Sequence, residues 1–173
     1  SFCFNKPILL TTLRPDVFSD DRGFFYESWN QKIWETLLLQ DDQKVACFVQ
    51  DNHSYSRKGV LRGLHYQVEP HPQAKLVRCL AGEIFDVVVD LRVTSSTYLE
   101  WSGIYLSAAN FQQLWVPVGF AHSFLTLSDV AEVLYKTTDF WRPECERTLR
   151  WNDPRLSIKW PDSVGIPKLS EKD

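Results

Sequence analysis

The sequence predicts an all-β domain, an antiparallel sandwich or barrel with the jelly roll among its forms. Three observations carry this. Short segments rich in β-branched and aromatic residues succeed one another at roughly ten-residue spacing. Turn chemistry such as "SYSRKG", "EPHP" and "TSST" separates them. A helical period stands out in one place, near the start of the chain.

In chain order, that helix comes first. Ser28 or Asn30 is its cap, because Ile33, Trp34, Leu37 and Leu38 recur at helical spacing beyond them. The strands follow: "VACFVQDN" (45–52), "VLRGLHYQ" (60–67), "KLVRCLAG" (75–82), "IFDVVVDLR" (84–92), "YLEWSGIYL" (98–106), "QLWVPVG" (113–119), "HSFLTL" (122–127) and "EVLYKTT" (132–138). The tail "WPDSVGIPKLSEKD" is punctuated by Pro and Gly and reads as an irregular segment laid over the domain.

At 173 residues a single domain spanning 1–173 is expected. Hydrophobic residues make up 44% against 24% charged, which excludes a disordered chain. A net charge of −3 gives no electrostatic footprint for nucleic acid, so an anionic ligand must be met by local Arg and Lys. The apolar runs fall short of a membrane span, and "SFCFNKPILL" lacks the form of a signal peptide. Cys3, Cys47, Cys79 and Cys145 are far apart with no CxxC pair, which argues against a zinc knuckle. A reducing cytoplasm suits them. Neither GxGxxG nor GxxxxGK[ST] occurs.

"GVLRGLHYQ" (59–67) places Arg62, His65 and Gln67 inside an apolar run. Strand alternation puts His65 and Gln67 on one face with Gly63 and Leu61, and Arg62, Leu64 and Tyr66 on the other. A lone strand histidine is most often a satisfied core residue. Its company changes that reading. The clusters "DRGFFYES" (21–28), "FVQDNHS" (48–54), "LRGLHYQ" (61–67), "KLVR" (75–78), "VPVGFAHSF" (116–124), "YKTT" (135–138) and "WNDP" (151–154) together closely resemble the dTDP-4-dehydrorhamnose 3,5-epimerase family, in its order and spacing from about Phe18 to Asp173.

The resemblance implies a cupin-type antiparallel jelly roll with one or two short helices, a homodimer that works without metal or other cofactor. It implies epimerisation at C3 and C5 of dTDP-4-dehydro-6-deoxy-D-glucose in the dTDP-rhamnose pathway. A metal-binding cupin carries H-x-H on one strand and a later histidine. Here the pair reads His65 and Gln67, with His122 as the later one, a poor set for a transition metal.

Epimerisation beside a ketone needs a base for the α-proton, a stabiliser for the enolate and an acid on the opposite face. By resemblance His65 is the base, Asp173 its partner, Tyr135 the acid and Lys75 the cation near the ketone oxygen. Arg22, Phe25 and Glu27 match ligand-contacting positions, the first and last reaching from the partner subunit. Gln50, Asp51 and Asn52 match a polar binding strand, and Arg62, His122, Glu146 and Lys172 match further binding positions. Trp141 stands where the family usually has an aromatic residue, often tyrosine, stacked on thymine; indole keeps the face and lacks the hydroxyl. Asp86 and Asp90 share a strand face and are read as structural, Asp86 within reach of the site. The rival functions are a mono-epimerase acting at C3 or C5 alone and a non-catalytic sugar-nucleotide binding module. A metal-dependent cupin is disfavoured by Gln67.

Overall fold

A computed structural model describes residues 10–40 and 47–173; Cys3 and the first two residues of the strand expected at 45–52 lie outside them. The elements run β1 (Thr11–Leu13), β2 (Phe18–Asp20), β3 (Gly23–Phe25), α1 (Gln31–Gln40), β4 (Gln50–Arg57), β5 (Leu61–Gln67), β6 (Lys75–Ala81), β7 (Glu83–Asp90), β8 (Trp101–Ser107), β9 (Gln113–Val116), β10 (Phe120–Thr126), β11 (Val130–Thr137) and β12 (Glu146–Thr148), with a 3-10 turn at Asp162–Val164. Two five-stranded antiparallel sheets form the jelly roll, ordered β1-β9-β6-β11-β4 and β12-β5-β10-β7-β8; β2 and β3 make a separate hairpin. Among the described residues no helix is long and apolar enough to cross a membrane.

Three apolar layers hold this arrangement. Between the sheets lie Val77, Leu114 and Val133 from the first and Ile84, Val88, Leu106 and Phe124 from the second. Trp34 and Leu37 of α1 cover the back of the first sheet at Leu13, Leu76 and Trp115. On the back of the second, Leu61, Leu64, Val87, Val89 and Leu125 meet Leu156, Trp151, Ile158 and Trp160 of the tail. β7 is therefore buried on both faces, the reason that its sequence is apolar almost throughout. The cap of α1 is Asn30, whose Oδ1 accepts from the amides of Lys32 (3.0 Å) and Ile33 (3.2 Å).

Three expectations change. The strand expected at 45–52 begins at Gln50 and continues to Arg57, through residues read as a turn. Both of its faces are polar, so it offers no apolar alternation. The strand expected from Tyr98 begins at Trp101, after a turn in which Leu99 adopts φ of 66°.

The third change concerns β5. His65 pairs with His122 and Arg62 with Phe124, so Gly63 and Leu64 together oppose Ser123. This bulge shifts the alternation by one residue. Arg62 and His65 consequently share the inner face, while Leu61 and Leu64 pack in the outer core. Gly63 is required there: its φ is +119°, and a Cβ would sit 2.5 Å from the carbonyl oxygen of His122. Gly63→Ala is expected to cost about 1–3 kcal/mol in urea unfolding; wild-type stability would contradict this role.

Candidate active site

A cavity of about 350 Å³ opens between the sheets. The first sheet supplies Gln50, Asn52 and Ser54 of β4, Lys75 of β6 and Tyr135 of β11. The second supplies Arg62 and His65 of β5 with His122 and Phe124 of β10. Gln73, Trp141, Glu146, Ser170, Lys172 and Asp173 complete the lining. Histidines thus stand on one wall, and a tyrosine and a lysine on the other.

The Nε2 atom of His65 lies 2.6 Å from Oδ1 of Asp173. The same carboxylate accepts from the Gly63 amide (3.3 Å) and the Ser170 hydroxyl (2.7 Å). The tail reaches this point because Lys168 bonds through its amide to Gly59 O (2.8 Å) and accepts from the Leu61 amide (3.0 Å). Burial draws the pKa of His65 below its ordinary value against the opposing pull of Asp173, which favours the neutral ring. For Asp173 burial acts upward, but hydrogen bonds from Ser170 and His65 outweigh it and hold the carboxyl below its usual range. Nε2–H donated to Asp173 leaves Nδ1 as the basic nitrogen.

His122 has its own carboxylate. Its Nε2 lies 2.8 and 2.9 Å from the two oxygens of Asp86, which is wholly buried. Burial pushes the Asp86 carboxyl up, with His122 and Lys75 opposing. Asp86 therefore anchors a cavity histidine. A charge inside the apolar "IFDVVVDL" was the available signal, since a buried carboxylate needs a partner. Asp90, on the same strand, instead binds Arg92, Ser95 and Thr97 and organises the following loop.

Lys75 is buried, and among the described residues no carboxylate lies within ion-pair distance of its ammonium. Burial lowers its pKa to about 8. Its Nζ stands 5.9 Å from the centroid of the Tyr135 ring, whose own pKa burial raises, keeping the phenol protonated at neutral pH. Near the entrance Lys172 pairs with Glu146 at 3.1 Å.

The cavity brings together His65, Tyr135, Asp173, Lys75, Gln50, Asn52, Arg62, His122, Trp141, Glu146 and Lys172. Asp51 is a correction. Strand alternation turns it to the opposite face of β4 from Gln50 and Asn52, where it pairs with Lys136 at 3.0 Å. Arg22, Phe25 and Glu27 also lie outside this chain's cavity: Arg22 binds Asp20, Glu27 accepts from Asn30 (2.8 Å), and Phe25 is exposed on the β2–β3 hairpin. Ser54, Gln73, Phe124 and Ser170 line the cavity without having been anticipated. Gln67, expected beside His65, is buried out of the cavity. Its amide donates to the carbonyls of His71 (2.8 Å) and Phe140 (3.2 Å) and accepts from the Arg142 amide (2.8 Å). At the cupin ligand positions, Asp173 holds Nε2 of His65, Asp86 holds Nε2 of His122, and Gln67 is turned to backbone.

These groups define a jelly-roll site built for moving protons on and off carbon. Residues 9–173 match the dTDP-4-dehydrorhamnose 3,5-epimerase family. The dTDP-4-dehydrorhamnose 3,5-epimerase of Pseudomonas aeruginosa is 57% identical over 159 residues, 92% of this chain and 84% of that protein. The Legionella pneumophila epimerase, crystallised with dTDP-4-keto-L-rhamnose, superposes with a TM-score of 0.91 at 46% identity, covering 100% of this chain and 89% of that one. The Bacillus anthracis epimerase with TDP and PPi bound gives 0.93 at 44% identity, covering 100% and 97%. The chain belongs to the dTDP-4-dehydrorhamnose 3,5-epimerase family.

Proposed function

We propose that the chain epimerises dTDP-4-dehydro-6-deoxy-D-glucose at C3 and C5 to give dTDP-4-dehydro-L-rhamnose. The observation that carries this beyond family membership is the opposition of walls: His65, held by Asp173 of the tail, stands on one sheet, and Tyr135 with Lys75 on the other. His65 removes the α-proton and Asp173 stabilises the resulting imidazolium. Lys75, with no competing carboxylate at ion-pair distance among the described residues, places its charge where the enolate oxygen forms. Tyr135 returns a proton from the far wall, so configuration inverts. Asn52, Arg62, His122, Glu146 and Lys172 hold the sugar diphosphate, and Trp141 stacks on the thymine.

Arg22, Phe25 and Glu27 then serve the neighbouring subunit of a homodimer. The exposed Phe18, Phe24 and Phe25 of their hairpin support this, and a monomer in sedimentation at assay concentration would contradict it. The free thiols of Cys47, Cys79 and Cys145 support a cytoplasmic setting.

The deciding experiment incubates the dTDP-4-keto sugar with the protein in D₂O and excess EDTA, followed by NMR. Deuterium at both C3 and C5, in an L-configured product, is expected. Label at one carbon alone would make the protein a mono-epimerase, and no label a binding module. Activity restored only by a divalent ion would end the metal-free mechanism.

Asp173→Asn tests the histidine's partner. The amide cannot favour the protonated ring, so the pKa of His65 falls further. The acid limb of the pH–rate profile should move to lower pH while maximal turnover drops. The alkaline limb, where Lys75 loses its charge near pH 8, should stay in place. Superimposable acid limbs would remove Asp173 from the mechanism.

A further inference from the structure

The polar groups around residues 139–142 lie outside the proton-transfer chemistry, yet this segment carries Trp141 to the cavity. Three glutamines hold it. Gln73 donates to Asp139 O (2.8 Å), and Gln50 Oε1 accepts from the Trp141 amide (3.2 Å). Gln67 does most: its two amide hydrogens go to His71 O and Phe140 O, and its oxygen takes the Arg142 amide. It thereby bonds the residues on either side of Trp141 and ties them to the 68–71 turn. A His71–Asp139 contact of 3.0 Å spans the same two segments from outside. Gln67 is buried, whereas Trp141 is 54% exposed. An exposed ring has little packing of its own to fix its plane, so its orientation depends on the backbone beneath it. A polar group as buried as Gln67 is costly unless its bonds are made, and here they all go to backbone.

We infer that Gln67 is a positioning residue for nucleotide recognition: it holds the 139–142 segment so that Trp141 presents a pre-set stacking face to the base. This rests on Trp141 being the thymine platform of the proposed function. It gives the strand's second cupin position a use unrelated to metal. Pre-setting the ring removes an ordering cost from binding and leaves the chemistry at His65 untouched.

Variants at Gln67 and Trp141, read by amide exchange, dTDP affinity and steady-state kinetics, test it. Gln67→Leu removes all three bonds; Gln67→Glu keeps an acceptor for the Arg142 amide, loses both donors and guards against failure of the first to fold. In the ligand-free protein, amide exchange across 139–142 should accelerate in both, with exchange in β10 unchanged. Affinity for dTDP should fall about tenfold in Gln67→Leu, the scale of one or two net hydrogen bonds. KM should rise in step while kcat stays within about twofold, since uniform binding is lost. Because Gln67 acts through Trp141, Gln67→Leu/Trp141→Ala should bind dTDP no more weakly than Trp141→Ala alone. Additive losses, a fall in kcat at unchanged KM, or unaltered exchange in 139–142 would each overturn the inference. Wild type assayed alongside separates the two levels: wild type that binds dTDP without turnover defeats the epimerase function and leaves the clamp standing.

Discussion

In D₂O, the His65→Asn protein is expected to leave both α-protons of the substrate unexchanged, with turnover down by on the order of 10²–10⁴. Both half-reactions begin with loss of a proton from carbon. His65 is the cavity histidine whose surroundings favour the neutral ring and whose second nitrogen is held by a carboxylate. His122 is paired in the same way, its Nε2 on the wholly buried Asp86, but it is the more enclosed of the two, its side chain 6% exposed against 20% for His65. Asparagine is close to histidine in size and can still donate to Asp173, so dTDP affinity and thermal stability should change little. Exchange near the wild-type rate would move the base elsewhere, to His122 first.

Tyr135→Phe should separate exchange from inversion. His65, the proposed base on the second sheet, should still remove a proton, and Lys75 would still face an aromatic ring. With no phenol on the opposite wall, protonation from that side is lost. Deuterium should enter the recovered substrate while formation of the inverted product falls by on the order of 10²–10⁴. A parallel fall in exchange would place Tyr135 in the first step, and normal product formation would assign the acid to water or another group.

How much of this was legible depended on what each segment buries. β5, β6 and β7 were readable from their apolar content, and the helix from Ile33, Trp34 and Leu37. β4 was misplaced because Gln50, Asn52 and Ser54 face a polar cavity while Asp51 and His53 face outward. A strand without a dry face has no period to find. β1, β3 and β12, three residues each, are too short to show one. Within the site, residue types came through family resemblance, but placement did not. The bulge at Gly63–Leu64 sets Arg62 beside His65, and no alternation rule anticipates it. The Asp86–His122 contact joins residues 36 positions apart, a pairing that only the sheet register creates. Asp51 shows the converse: a motif match names three neighbours, and the pleat admits two.

The tail behaves as a ligand tethered to its own receptor. Asp173 meets His65 with a local concentration fixed by how firmly Leu156, Ile158 and Trp160 sit on the outer face of the second sheet. On the proposed mechanism, the docked fraction should multiply the observed turnover. Substitutions at Trp160 or Leu156, on the far side of that sheet from the cavity, would then act as partial antagonists of the His65–Asp173 contact, lowering its occupancy without touching substrate. Through this linkage the titration of one histidine reports the grip of an entire layer.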